Sequence, residues 1–232
     1  MPRLGVSELI THAASEEAPA AVRAAEIIAR LHTAYPDAKC SLDFRDAFQL
    51  LVATILSAQC TDERVNQVTP RLFERFPTPA ALASADQAEI EELIRSTGFY
   101  RNKAKSILGA ARKIVDDFGG TLPQTMDELL TLPGVARKTA NVVLSNAFGI
   151  IEGIAVDTHV SRLGPRLGLT VETDPQKIER DLMELLPRSA WLFANHALIL
   201  HGRGICNARK PRCTECTLLE LCPTGQRQTR RD

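Results

Sequence analysis

Apolar side chains recur every three or four residues along nearly the whole sequence from Ala20 onward. This spacing runs through residues 24–31, 48–55, 90–94, 107–115 and 182–186, and it places the apolar side chains on one face of an α-helix. Glycine and proline residues separate these stretches at short intervals. We find no clear alternation of apolar and polar residues, which a half-buried strand would show. The sequence therefore predicts an all-α fold of about ten or more short helices.

The composition is that of a globular protein, with 44% hydrophobic, 24% charged and 5% aromatic residues. The longest nearly apolar stretch, 47–58, is too short to span a bilayer. The N-terminus shows no apolar segment of the kind found in signal peptides. These features argue against a membrane or secreted protein, and we expect a cytoplasmic one.

The net charge is zero, with 28 basic and 28 acidic residues, but the charge is unevenly distributed. Residues 98–148 carry seven basic and four acidic side chains, and residues 200–232 carry seven and three. If both segments reached one face of the fold, they would form a positive patch suited to a nucleic acid. Charge alone favours the plainer interpretation, in which solvated charges cluster by chance.

Four of the six cysteines lie close together near the C-terminus, in the spacing C-x6-C-x2-C-x5-C: Cys206, Cys213, Cys216 and Cys222. Disulfides do not suit a chain without an export signal, so a metal site with four thiolates is the natural interpretation. Zinc and a 4Fe–4S cluster are the two candidates. The single C-x2-C pair and the wider outer spacings favour the 4Fe–4S cluster. The other two cysteines, Cys40 and Cys60, lie in apolar helical stretches and are expected to be buried thiols.

Residues 124–148 predict two short helices joined by a tight turn at Pro133–Ala136. The second helix begins near Arg137, and no serine, aspartate or asparagine precedes it as a cap. Its first backbone N–H groups are therefore available to an anion such as a phosphate oxygen. Such a helix-hairpin-helix holds one DNA phosphate without reading the base sequence.

Two polar residues near this hairpin are candidates for chemistry. Lys138 lies on the first turn of the second helix, where a cation is disfavoured by the helix dipole. It is either a nucleophile with a lowered amine pKa or an ordinary surface lysine. Asp157 precedes an apolar-periodic run, so it is an N-cap, a carboxylate for charge stabilisation or proton transfer, or both.

Three signatures occur together in this sequence: LPGVARKTA, AVDTH and the C-x6-C-x2-C-x5-C segment. Together they closely resemble the endonuclease III family of helix-hairpin-helix DNA glycosylases, the iron–sulfur type. The resemblance runs from about Ala20 to Cys222. It implies two helical lobes with a DNA-binding cleft between them. A six-helix barrel lobe would comprise residues 41–148, and an iron–sulfur cluster lobe would comprise 20–40 and 149–225, with a flexible leader over 1–19 and a flexible tail over 226–232.

The resemblance also implies an activity, that of a bifunctional DNA glycosylase and apurinic/apyrimidinic-site lyase in base excision repair. Lys138 would attack C1′ of an oxidised pyrimidine nucleotide, form a Schiff base and promote β-elimination, with Asp157 assisting. Cys206, Cys213, Cys216 and Cys222 would hold the 4Fe–4S cluster. His159 would line the lesion pocket, or it is a structural histidine.

Contacts to DNA follow from the same resemblance. Gln59 would insert where the flipped base was, and Phe99 with Tyr100 would form a wedge on the opposite side. The hairpin would contribute Gly134, Ala136 and Arg137, together with a monovalent cation, and the cysteine loop would contribute Arg209, Lys210 and Arg212. The expected partner is damaged double-stranded DNA, bound by a monomer that does not associate with membranes and lies near the nucleoid of a prokaryote-like cell.

Two positions depart from the family pattern. Many relatives have glycine where this chain has Ala136. If the backbone there needs a positive φ, alanine costs stability, whereas at a negative φ it is harmless. Relatives often have leucine where this chain has Phe99, and this residue is either the wedge or a packing residue at a helix start.

Two other functions compete with this interpretation. An adenine-mismatch glycosylase of the same superfamily resembles the cysteine loop, but it usually lacks the lysine and carries a further C-terminal domain. Lys138 and the end of the chain at Asp232 both oppose it. A non-catalytic DNA-binding or electron-carrying iron–sulfur protein would need the cluster and the hairpin only. Lys138 together with Asp157 distinguishes the enzyme from this second alternative.

Overall fold

The computed structural model describes residues 20–230, and their regular structure is helical, with no β-strand. The predicted leader over residues 1–19 and the last two residues of the chain lie outside the described residues. Within residues 20–230, no helix has the length and apolar character needed to cross a membrane. The predicted all-α fold is confirmed.

Residues Cys40–Glu152 form one compact unit. Its α-helices are α2 (Ala47–Leu56), α3 (Asp62–Arg75), α4 (Pro79–Ala83), α5 (Gln87–Ile94), α6 (Tyr100–Phe118), α7 (Met126–Leu130) and α8 (Arg137–Ala147). A 3-10 turn at Arg95–Thr97 follows α5.

The centre of this unit is α2, in which eight of the ten residues are buried. A helix that is apolar on all sides must be covered on all sides, and α2 packs against α3, α6 and α8. The longest helix, α6, packs against α2, α4 and α5. Because α2 contacts both α6 and α8, the core fixes the helix that begins after Phe99 and the helix that follows the hairpin turn.

The second compact unit consists of Met1–Lys39 and Gly153–Asp232. Its described α-helices are α1 (Ala20–Ala34), α9 (Thr158–Arg166), α10 (Pro175–Leu185), α11 (Trp191–Gly204) and α12 (Pro223–Thr229). The unit has its own core, to which α1, α9, α10 and α11 contribute buried aliphatic side chains. Two 3-10 turns, Cys213–Glu215 and Leu219–Leu221, shape the cysteine segment.

One local prediction needs correction. Residues 226–229, which we predicted as part of a flexible tail, belong to helix α12, because Cys222 accepts a cap bond from the Gly225 N–H and Pro223 occupies the first turn.

Helix α3 continues through Pro70. The buried face that includes Val68 and Leu72 extends across the proline and holds the helix together.

Candidate functional site

The hairpin lies between α7 and α8, and its turn requires glycine at position 134. Gly134 has φ 79, and a Cβ built there would lie 2.7 Å from Cβ of Ser106 on α6. Both the left-handed backbone and the close approach exclude a side chain. The hairpin turn is therefore seated directly on α6.

The N-terminus of α8 has no side-chain cap. Its N-cap residue, Ala136, is extended with φ −105 and ψ 170, and its side chain makes no capping hydrogen bond. The first backbone N–H groups of α8 are thus available to an anion. Because φ is negative, alanine fits this position without strain, and the alternative in which Ala136 costs stability is wrong.

Lys138 is the second residue of α8 and is exposed. The neighbouring N–H groups and the helix dipole surround its ammonium with positive potential. The position predicted for Lys138 on the first turn is confirmed.

Asp157 caps α9, as predicted. Its Oδ1 accepts hydrogen bonds from the backbone N–H groups of His159 at 2.8 Å and Val160 at 2.9 Å. Both bonds end on one oxygen, so the cap fixes the carboxylate while the second oxygen can serve another partner. The N-cap interpretation is confirmed, and it is compatible with the catalytic role, which stays a prediction.

His159 has clear structural contacts. Its Nδ1 lies 3.1 Å from a guanidinium nitrogen of Arg162, and a Cβ on Gly202 would lie 2.8 Å from the same ring nitrogen. The ring is thus packed against α11. These contacts support the structural interpretation, and the pocket role of His159 stays a prediction.

The four clustered cysteines line one pocket, to which Leu167 and His201 also contribute. Three N–H groups point at the sulfur atoms: those of Arg166 at 3.3 Å from Cys206, Gly225 at 3.2 Å from Cys222 and Leu218 at 3.4 Å from Cys216. Such donors stabilise thiolate charge and are a recurring surrounding of iron–sulfur ligands.

The thiols of this cluster raise one another's pKa. Burial, with a smaller contribution from the neighbouring cysteines, raises the pKa of Cys216 to about 11. Burial and other cluster cysteines likewise raise the pKa of Cys213 and Cys222. Metal coordination removes this cost, because it holds the thiolates together without their protons.

Among residues 20–230, no group of three histidine, cysteine or carboxylate side chains is placed to hold a single metal ion.

Sequence reasoning missed two long-range supports of this pocket. The ring of His201 contacts two partners: its Nδ1 lies 3.1 Å from the Tyr35 hydroxyl, and its Nε2 lies 3.3 Å from Sγ of Cys216. Burial lowers the pKa of His201 to about 4. Arg166 donates to the carbonyls of Asn207 and Ala208, both at 2.8 Å. No local pattern signals these contacts, because the partners are far apart in the sequence.

The basic residues of the cysteine loop differ in their surroundings. Arg209 and Lys210 are exposed. Arg212 is also exposed, but it donates to Glu215 at 3.0 Å and to the Gly204 carbonyl. Arg212 therefore supports the loop, which makes Arg209 and Lys210 the better candidates for a phosphate contact.

Gln59 and Phe99 share an unusual backbone conformation. They are the non-glycine residues with positive φ in the described part of the chain, at 52 and 48 degrees. Both are exposed, and Phe99 is 66% accessible. This exposure rules out the interpretation of Phe99 as a packing residue. Tyr100, the first residue of α6, is half-buried against the core of its unit.

Comparison with known proteins agrees with this arrangement. Residues 52–188 match the HhH-GPD superfamily of base excision DNA repair proteins. The chain is 64% identical to endonuclease III of Synechocystis sp. over 204 residues, which cover 88% of this chain and 93% of the relative. A solved non-covalent endonuclease III–DNA complex has a TM-score of 0.87 and 43% identity, with 90% of this chain and 98% of the other covered. A trapped endonuclease III–DNA covalent intermediate has a TM-score of 0.86 at the same identity and coverage.

The fold is helical, and the second helix of its hairpin has no side-chain cap. Together with the match over residues 52–188, these features define a base excision DNA repair protein of the HhH-GPD superfamily. Within this superfamily, the chain belongs to the endonuclease III family.

Proposed function

We propose that Lys138 is the nucleophile of this base excision repair enzyme, a DNA glycosylase and abasic-site lyase. The observation that carries the proposal is an exposed lysine on the first turn of a helix whose N–H groups have no side-chain cap. A covalent DNA intermediate of a similar protein supports it, because covalent capture requires a nucleophilic side chain.

The first step is displacement of the base. The uncharged amine of Lys138 forms a bond to C1′, the bond from C1′ to the base nitrogen breaks, and the base leaves with a proton. Asp157 assists as a fixed negative charge, since positive charge develops on the sugar as the base departs. Oxidised pyrimidines stack and pair poorly, so their extrusion from the helix costs less. We therefore propose them as the substrate class.

The second step is strand cleavage. Once the deoxyribose ring opens, the nitrogen of Lys138 and C1′ form an iminium, which withdraws electrons from C2′. Loss of the C2′ proton then breaks the C3′–O bond, and the 3′ phosphate leaves. Water releases the lysine from the resulting unsaturated sugar. One amine serves both steps.

The contacts with DNA fall into two groups. The first group would hold phosphates, and it consists of the hairpin residues Gly134, Ala136 and Arg137 and the loop residues Arg209 and Lys210. The hairpin would also hold a cation. Exposed side chains on strained turns, Gln59 and Phe99, would occupy the space that the extruded nucleotide leaves.

We propose that Cys206, Cys213, Cys216 and Cys222 hold a 4Fe–4S cluster. The cluster supplies cross-links between loop segments that have little apolar surface of their own. A purified protein with a broad absorption band in the violet, and with four irons for each chain, is the expected result. A colourless protein with stoichiometric zinc would contradict this proposal.

Borohydride trapping tests the nucleophile. The native protein, mixed with duplex DNA that contains an abasic site or thymine glycol, should form a covalent adduct on reduction, and Lys138→Ala should form none. Lys177→Ala is the matched control, because Lys177 is exposed but lies in the other unit beside Glu172. Equal trapping by Lys138→Ala would place the nucleophile elsewhere.

A further inference from the structure

The turn that carries Phe99 is held in a conformation that such a residue rarely adopts. Gly98 has φ 71 and Phe99 has φ 48, so two successive residues lie at positive φ. Phe99 is also the N-cap of α6, and its side chain makes no capping bond. A bulky residue stays in this region only where surrounding contacts hold it.

Lys103, the fourth residue of α6, supplies those contacts. Its backbone N–H donates to the Phe99 carbonyl at 3.1 Å. Its side chain turns back, and Nζ donates to the Thr97 carbonyl at 2.8 Å. One residue thus bonds the carbonyls on both sides of Gly98.

The side-chain bond of Lys103 is buried, which makes it strong. Lys103 is 5% exposed and Thr97 is 2% exposed. A buried ammonium is costly unless it is bonded, and a bond from a charged donor is stronger than one between neutral groups. If this bond broke, the ammonium of Lys103 and the carbonyl of Thr97 would both lose a hydrogen-bond partner. The bond therefore stabilises both the turn and the buried position of the Lys103 side chain.

Lys103 is also linked electrostatically to the segment that follows Gln59. Burial lowers the pKa of Lys103, while its interaction with Cys60, the residue after Gln59, raises it. Lys103 is too buried to meet DNA itself.

We propose that Lys103 is a positioning residue for lesion recognition, which holds the Gly98–Phe99 turn so that the Phe99 ring is presented to the DNA. The inference rests on the proposed function, because it requires Phe99 to enter the DNA stack. It assigns to Lys103 a role in extruding a base rather than in the chemistry at C1′.

Substrates that differ in the cost of extrusion test this role. A thymine glycol duplex requires unstacking of a base, whereas an abasic duplex has no base to unstack. We expect Lys103→Met to lower the single-turnover rate of cleavage of the thymine glycol duplex by about tenfold. This factor corresponds to the loss of one charge-assisted hydrogen bond. Cleavage of the abasic duplex should change much less, and it shows in the same sample that the protein is folded.

Four further variants separate the possible causes. Phe99→Ala should show the same loss on thymine glycol, and the double variant with Lys103→Met should be no worse than Phe99→Ala alone. Lys103→Arg, which keeps a charged donor, should restore part of the rate. Lys113→Met removes a lysine from the same helix, where it pairs with Asp117, and should leave both rates unchanged.

Fluorescence of 2-aminopurine beside the lesion measures unstacking directly and should rise less on binding of Lys103→Met than of the native protein. Equal losses on both substrates, or additive effects with Phe99→Ala, would assign Lys103 to general stability and overturn the inference. A selective loss in Phe99→Ala without one in Lys103→Met would overturn it while leaving the proposed function intact. If the native protein cleaved neither duplex, the proposed function itself would fail.

Discussion

Gly134 and Ala136 are two residues apart in the hairpin turn, but Gly134 has a positive φ and Ala136 a negative one. Gly134→Ala would place a Cβ 2.7 Å from Ser106 at φ 79, and we expect the free energy of unfolding to fall by about 1–3 kcal/mol. Ala136→Gly introduces the residue common in relatives at a position with negative φ, so the change should stay within about 0.5 kcal/mol. Urea denaturation of both variants measures the difference, and a large gain in stability from Ala136→Gly would show that alanine strains the turn after all.

At the scale of single elements, the start of α9 combines a helix cap with a proposed catalytic charge, and substitution can separate the two. Asn caps a helix about as well as Asp, so Asp157→Asn should keep the stability while it removes the charge and slows base release. Asp157→Ala should slow base release and also cost about 1 kcal/mol of stability. Single-turnover rates and thermal unfolding of the pair give both quantities. A native rate in Asp157→Asn would limit Asp157 to its cap role.

The same elements show which features the sequence could predict. Asp86, Thr125 and Asp174 each cap the helix that follows, and such caps can be read from the sequence because the bond joins residues two or three positions apart. The bond between Lys103 and Thr97 is also short in sequence, but its importance depends on burial that the pattern does not reveal. The bridge from Tyr35 to His201 spans 166 positions and follows only from the packing of α1 against α11.

At the scale of the whole molecule, the two compact units differ in how they should respond to acid. All five histidines of the chain and its single tryptophan lie outside residues 40–152. Among them, His196 on α11 is 7% exposed, and burial lowers its pKa from 6.5 to about 4. The other unit has no histidine with which to respond over this range.

The consequence is a loss of stability at mildly acidic pH that is specific to one unit. Because the pKa of His196 is lower in the folded state, stability is full above pH 6.5 and falls as the pH drops toward 4, by up to about 3 kcal/mol. Fluorescence of Trp191 reports on the unit that contains His196, whereas far-ultraviolet circular dichroism reports on both units. We expect the urea midpoint from fluorescence to fall more than the midpoint from circular dichroism between pH 7 and pH 5, and His196→Gln should reduce that difference. Coincident midpoints at both pH values would contradict the assignment of this acid sensitivity to His196.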